Sequence, residues 1–163
     1  CVTPRHGTQS GYTDIGGTGQ SMITTSLRVS NCLSEISRIA RAVRLAADQA
    51  GMHQEAEADL QIAIDEIVSN IIRHGLPNDA LHEVKVTISG DQRRVIVRIV
   101  DGGIPFNPQQ HGLRKRVRAP DFERIGGLGI HFVMQIVDEL KYTRRKGCNY
   151  TMLRKNVTDK TEA

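Results

Sequence analysis

The stretch VKVTISGDQRRVIVRIVDGG, Val84 to Gly103, constrains the fold more than any other. Two runs, VKVTI and RVIVRIVD, alternate with period two around the turn-like Gly90-Asp91-Gln92, which predicts an antiparallel strand pair. In the second run Val95, Val97 and Ile99 share one face, and Asp101 is next in that series. A carboxylate is thus aimed at the covered face where the strand ends, and Gly102 and Gly103 follow at once. An Asp before Gly is common turn chemistry. An inward Asp also accepts a hydrogen bond from an exocyclic amine, and the glycines let a flat ring approach the backbone.

The remaining elements follow from periodicity. MITTSLRV, from Met22, reads as a strand rich in β-branched residues. In LSEISRIARAVRLAADQAG, Leu33, Ile36, Ile39, Ala40, Val43 and Ala47 recur at helical spacing; Asn31 or Ser34 caps the start and Gly51 marks the end. A second helix is predicted from about Gln54 to His74, stopped by Gly75 and Pro77. A third begins at Leu128, with Ile130, Val133, Met134 and Val137 periodic, and is followed by strands ELKYTRR and NYTMLRKN around Lys146-Gly147-Cys148. The order predicts an α+β domain: a two-layer sandwich with a mixed, mainly antiparallel sheet and helices on one face. One domain is expected over residues 21–157. Residues 1–20, rich in Gly, Thr and Ser, read as a flexible tail or linker, and residues 158–163 as a C-terminal tail.

Composition excludes several function classes. Aromatics make up 4% with no Trp, which argues against a stacking platform for single-stranded nucleic acid. The formal charge of +4 is concentrated in two clusters, Arg114-Lys115-Arg116 with Arg118, and Lys141 with Arg144-Arg145-Lys146. With no groove-reading helix beside them, no direct nucleic-acid contact is expected, and a solvated surface or a phosphate partner suits them better. No apolar run reaches membrane-spanning length and no signal-peptide core is visible, so no membrane partner is expected. Three cysteines, an odd number, suggest no disulfide framework, and a reducing cytoplasm is the expected location. The start at Cys1 rather than Met reads as part of a longer protein.

The second helix carries an unusual border. At about 100° per residue, Leu60, Ala63, Ile64, Ile67, Val68 and Ile71 share the core face, while Glu66, Asn70, Arg73 and His74 line one flank. A half-buried carboxylate and amide are costly unless something pairs with them. Glu66 is therefore either an ion-paired helix border or a base that orients a nucleophile. Asn70 supplies an amide oxygen of the kind a hard cation such as Mg²⁺ accepts. Asp65 and Ser69 lie nearer the exposed side. Farther on, GGLGI (Gly126 to Ile130) leads straight into the third helix, where free N–H groups and the helix dipole favour an anion. The P-loop pattern GxxxxGK[ST] is absent, and no βαβ unit surrounds these glycines.

These three pieces, in this order, resemble the GHKL (Bergerat-fold) ATPases. DEIVSNIIRHG resembles their N box, DGGIPFNP the first glycine box and GGLGIHFV the second. The match spans roughly Ser30 to Asn156, and its compact form is most similar to the anti-sigma-factor kinase branch. The resemblance implies a Bergerat ATP-binding fold with ATP and Mg²⁺ bound where the three segments converge on one cleft. It makes Glu66 the catalytic base and Asn70 the Mg²⁺ ligand. Asp101 and Gly103 would hold adenine; Gly127, Leu128, Gly129 and Ile130 would meet the phosphates, with Arg73 and His74 beside the nucleotide. Residues 104–125 would form the ATP lid, with Arg114, Lys115 and Arg116 as phosphate clamps or simply solvated. The implied activity is phosphorylation of Ser or Thr on an anti-sigma-factor antagonist, with a sigma factor as competing partner and a homodimer admitted. Two other readings are a non-catalytic ATP-binding partner-switching module and the ATP-binding domain of a two-component histidine kinase. The chain departs from the family pattern at Pro105, where a second glycine is common, and at Cys148, where Thr commonly follows the turn glycine.

Overall fold

The computed structural model describes residues 9–13, 22–77, 81–108 and 128–158. Strands β1 (Gln9–Thr13), β2 (Met22–Ser30), β3 (Glu83–Gly90), β4 (Arg94–Asp101), β5 (Glu139–Arg145) and β6 (Cys148–Asn156) form one six-stranded sheet, in the order β1-β2-β3-β4-β6-β5. Every described pairing is antiparallel. Among the described residues three α-helices accompany it: α1 (Ile36–Ala50), α2 (Gln54–Asn70) and α3 (Leu128–Ile136). The two-layer α+β architecture read from the sequence is the one observed.

Local chemistry explains the element ends. The β3–β4 hairpin closes through Asp91, whose side chain accepts the N–H groups of Arg93 and Arg94 at 2.8 and 3.0 Å. The β5–β6 hairpin turns at Lys146 and Gly147, both at positive φ, as a two-residue hairpin with the sheet's own twist requires. Gly51 ends α1 in the left-handed conformation, and its N–H bonds back to the carbonyls of Ala47 and Asp48. Asn31 does not cap α1; its Oδ1 accepts the His82 N–H at 3.1 Å and so joins the end of β2 to the approach to β3.

Three expectations are corrected. Gln9–Thr13, inside the stretch read as a linker, is an edge strand on β2. QSGYT lacks period-two patterning, so only its pairing reveals it. The second helix reaches His74 but not as one α-helix: after Asn70 it widens into a π-helical turn, Ile71–Gly75, closed by Leu76 N–H to the Ile71 carbonyl at 3.0 Å. Cys32 is disulfide-bonded, whereas Cys148 is free.

The core lies between the helices and the inward row of the sheet. Leu60, Ala63 and Ile64 of α2 are fully buried, as are Val84, Val86 and Ile88 of β3 and Val95, Val97 and Ile99 of β4. On β6 the same row reads Asn149, Thr151, Leu153 and Lys155, all buried. Its polar ends divide the labour. Lys155 donates to Asp59 Oδ2 at 2.7 Å and to the Ile136 carbonyl at 2.8 Å, fastening α2 and α3 to the sheet. Asn149 faces Asp101 at the opposite end. Among the described residues no helix is long and apolar enough to cross a membrane.

Ile64 is 0% exposed and Ile62 of the same helix 47%. Ile64→Ala should therefore lower the unfolding free energy by about 2–5 kcal/mol. Ile62→Ala should change it by no more than roughly 0.5 kcal/mol. Urea denaturation of both variants measures the difference.

Candidate functional site

Asp101 ends β4 with its side chain on the covered face, 3% exposed, as the alternation predicts. Burial of a carboxylate demands partners, and two donors meet its Oδ1: the Gly103 N–H at 2.9 Å and Asn149 Nδ2 at 2.8 Å. Among the described residues no bond falls on Oδ2. The loop that follows is pressed against the end of α2. The Ile104 N–H donates to the Gly75 carbonyl at 2.8 Å, and a Cβ on Gly103 would overlap that same carbonyl oxygen. Glycine is required at 103 because backbone passes backbone there.

A narrow hollow opens at this junction. Ile67, Ile71 and Gly75 form its helical wall, and Asp101, Asn149 and Thr151 its sheet wall. Phe106 and Pro108 of the loop close it. Mostly apolar walls with a single carboxylate suit a flat heteroaromatic ring that carries a hydrogen-bond donor.

Glu66 and Asn70 form a second group. Asn70 is 8% exposed, and its Nδ2 donates both to the Glu66 carbonyl and to Glu66 Oε1, each at 2.7 Å. Both partners are acceptors, so the amide is oriented with Oδ1 turned away from them. That oxygen, with phosphate oxygens and water, matches the few protein ligands Mg²⁺ takes. Among the described residues no cluster of three His, Cys, Asp or Glu side chains is placed to hold a metal ion. The start of α3 lies directly on Glu66: a Cβ on Gly129 would overlap the Glu66 carboxyl group. Ile130, 1% exposed, anchors α3 in the core.

Glu66 and Gly129 line a wider, open groove with Asp65, Ser69 and Arg73 of α2. Leu33, Ile36, Ile62 and Phe132 complete it with apolar surface. Among the described residues the expected site residues fall along two neighbouring hollows. Asp101 lines the inner hollow, with Gly103 bonded to it from the adjoining loop; Glu66, Arg73 and Gly129 line the outer groove. At about 100° per residue, Asn70 falls on α2 between the Glu66–Arg73 stripe and the Ile67–Ile71 stripe, at the divide. His74 is exposed and lines neither hollow. Leu128 opens α3; Gly127, the clamp candidates Arg114, Lys115 and Arg116, and most of the lid lie outside the described residues.

Sequence reasoning missed Asn149, Thr151, Asp65 and Ser69. The first two had a signal: on β6, Asn149 and Thr151 have the same parity as the core residue Leu153, so two polar side chains point inward where apolar ones belong. Asp65 and Ser69 had none beyond their adjacency to Glu66.

The two glycines should respond differently to a methyl group. At Gly103 the obstacle is main chain, so Gly103→Ala should lower stability by about 1–3 kcal/mol. At Gly129 the obstacle is the end of a rotatable side chain, so Gly129→Ala should leave the thermal midpoint within about 2 °C while displacing the Glu66 carboxylate. Thermal unfolding of both variants separates the two cases.

Residues 29–155 match the family described as Histidine kinase-like ATPase domain. The chain is 28% identical over 110 residues to the serine-protein kinase RsbW of Listeria innocua, an alignment covering 65% of this chain and 70% of that relative. It is also 28% identical over 113 residues to the RsbW of Listeria monocytogenes serovar 1/2a, with the same shares covered. To the RsbW of Bacillus cereus it is 23% identical over 112 residues, covering 65% of this chain and 68% of the relative. The matched span contains all three motifs and both hollows, and the chain belongs to the histidine kinase-like ATPase family, the GHKL ATPases.

Proposed function

We propose that this protein is an ATP-dependent serine/threonine protein kinase. Its substrate would be an anti-sigma-factor antagonist, and it would sequester a sigma factor as the competing partner. One observation carries the catalytic part: the Glu66 carboxylate, positioned by buried Asn70, lies against Gly129 and opens into a groove accessible from outside. A base for protein phosphorylation needs that combination. It must be fixed near the phosphates, yet a hydroxyl on another chain must be able to reach it.

Asp101 would hold the adenine ring where the loop of Phe106 and Pro108 meets the sheet, and Asn70 and the amino end of α3 would face the phosphates. Asn70 Oδ1 would hold Mg²⁺ together with phosphate oxygens, and the ion would supply charge neutralisation on the phosphates. The substrate hydroxyl enters from the groove of Asp65, Glu66, Ser69 and Arg73. Its proton passes to a Glu66 oxygen while its oxygen bonds to the γ-phosphorus, and the bond from that phosphorus to the β,γ-bridging oxygen breaks, releasing ADP. Leu33, Ile62 and Phe132, each between 45% and 47% exposed, offer apolar contact to residues flanking the hydroxyl. The similarity to proteins named serine-protein kinase supports this reading, and the antagonist, the sigma factor, a homodimer and a cytoplasmic location follow from the resemblance of the motifs.

A second reading, a non-catalytic ATP-binding module that switches partners, draws on the bond that engages Glu66 Oε1 with Asn70. It leaves only the other carboxylate oxygen for a proton.

Titration with ATP and Mg²⁺ should give saturable binding that folded Asn70→Ala and Asp101→Ala lose; unchanged affinity in both would remove the nucleotide assignment. Glu66→Gln preserves an oxygen for Asn70, so it should retain ATP yet lower transfer of labelled γ-phosphate to an antagonist protein by about 10²–10⁴-fold. Full transfer by Glu66→Gln would place the base elsewhere. ATP binding without transfer by the unaltered protein would favour the module.

A further inference from the structure

Asn149 is 3% exposed at the start of β6, opposite Asp101. Its amide is held at both ends. Tyr142 Oη and Arg144 Nη1 donate to its Oδ1 at 2.8 and 2.6 Å. Its Nδ2 donates to Asp101 Oδ1 at 2.8 Å and to the Ile104 carbonyl at 2.9 Å. The two ends of an amide are told apart only by their partners, and here the partners decide. A guanidinium only donates and a main-chain carbonyl only accepts, so turning the amide over would set donor against donor and acceptor against acceptor. Arg144 is tied down in turn, because Nη1 also donates to the Gly103 carbonyl at 2.9 Å.

The consequence falls on Asp101. Asn149 Nδ2 and the Gly103 N–H both point at Oδ1, which fixes the plane of the carboxylate and leaves Oδ2 outside the described bonds, on a wall shared with Thr151. We infer that Asn149 is a positioning residue that sets the hydrogen-bonding polarity of this wall, and so selects a purine with a 6-amino group over one with a 6-oxo group. This rests on the nucleotide reading above and adds a determinant of base choice outside the three motifs. A 6-oxo purine would bring its oxygen against Oδ2, two acceptors facing each other in a hollow with little room for water.

The same network makes a sharper claim about Asp101→Asn. Two fixed donors would hold the new side chain's Oδ1 where the carboxylate oxygen was, so its Nδ2 must face the hollow. The wall becomes a donor, matched to a 6-oxo group.

The experiment is calorimetric titration of the full chain, its Asn149→Ala variant and its Asp101→Asn variant with ATP and with inosine triphosphate, all with Mg²⁺. The unaltered protein should prefer ATP by about 10- to 100-fold. Asn149→Ala should lower that ratio by about tenfold, and Asp101→Asn should bind inosine triphosphate more tightly than ATP. A folded Asn149→Ala with an unchanged ratio overturns the inference. If Asn149→Ala does not fold, Asp101→Asn decides: a preference for ATP, or loss of both nucleotides in a folded variant, overturns it. Equal affinity of the unaltered protein for the two nucleotides overturns it while leaving the nucleotide reading standing. Binding of neither ends both.

Discussion

The contact on which the site depends is between two stretches of main chain. Gly75, at the end of α2, gives its carbonyl to the Ile104 N–H, and Gly103 passes the same carbonyl without a side chain. This brings the helix layer to the end of β4 and makes the inner hollow a junction of helix and sheet. The π-helical turn over Ile71–Gly75 belongs to the same device. Moving the closing bond to Leu76 widens the last turn, and such turns concentrate at functional sites. Had the chain continued as an α-helix to His74, the carbonyl facing the loop after β4 would be a different one.

Polar burial at this junction is sustained by mutual satisfaction. Asp101, Asn149, Tyr142 and Arg144 form one hydrogen-bonded chain across β4, β5, β6 and the loop carbonyls of Gly103 and Ile104. A partly satisfied network in a dry hollow would be worse than apolar packing. This one gives Asp101 Oδ1 and both ends of the Asn149 amide partners while leaving Asp101 Oδ2 and Asn70 Oδ1 outside the described bonds. Those two oxygens are the ones a nucleotide and its metal would use, which is how a ligand site can be stable before its ligand arrives.

Much of this was legible along the chain because it depends on local period. Parity alone aims Asp101 inward, and helical angle alone puts Glu66 and Asn70 on a flank of α2. What period cannot supply is register between distant strands. The Asp101–Asn149 bond joins residues 48 apart, and it exists only because β4 and β6 pair with these two residues opposite one another. The resemblance directed attention to Cys148 after the turn glycine, whereas the next residue, Asn149, carries the bond. The outer groove was invisible for the same reason. Leu33, in the turn before α1, Ile62 on α2 and Phe132 on α3 are unremarkable by themselves and become a surface only when these elements stand together. Gln9–Thr13 shows the opposite failure, a strand without a strand's pattern, ordered by its partner.

The acid, amide and base that interrupt α2 can now be read as a boundary. Ile67 and Ile71 face the inner hollow, Glu66 and Arg73 the outer groove, and Asn70 falls between the two stripes. A helix with an uninterrupted apolar border would seal the hollow from the groove with hydrocarbon. Replacing that border with Asn70, and tying Nδ2 to Glu66, puts an amide oxygen at the divide between the hollow and the groove. The division also constrains substrate approach. Asp65, Ser69 and Arg73 flank Glu66 in the open groove, so under the proposed function a protein substrate would reach Glu66 without displacing anything from the hollow of Asp101.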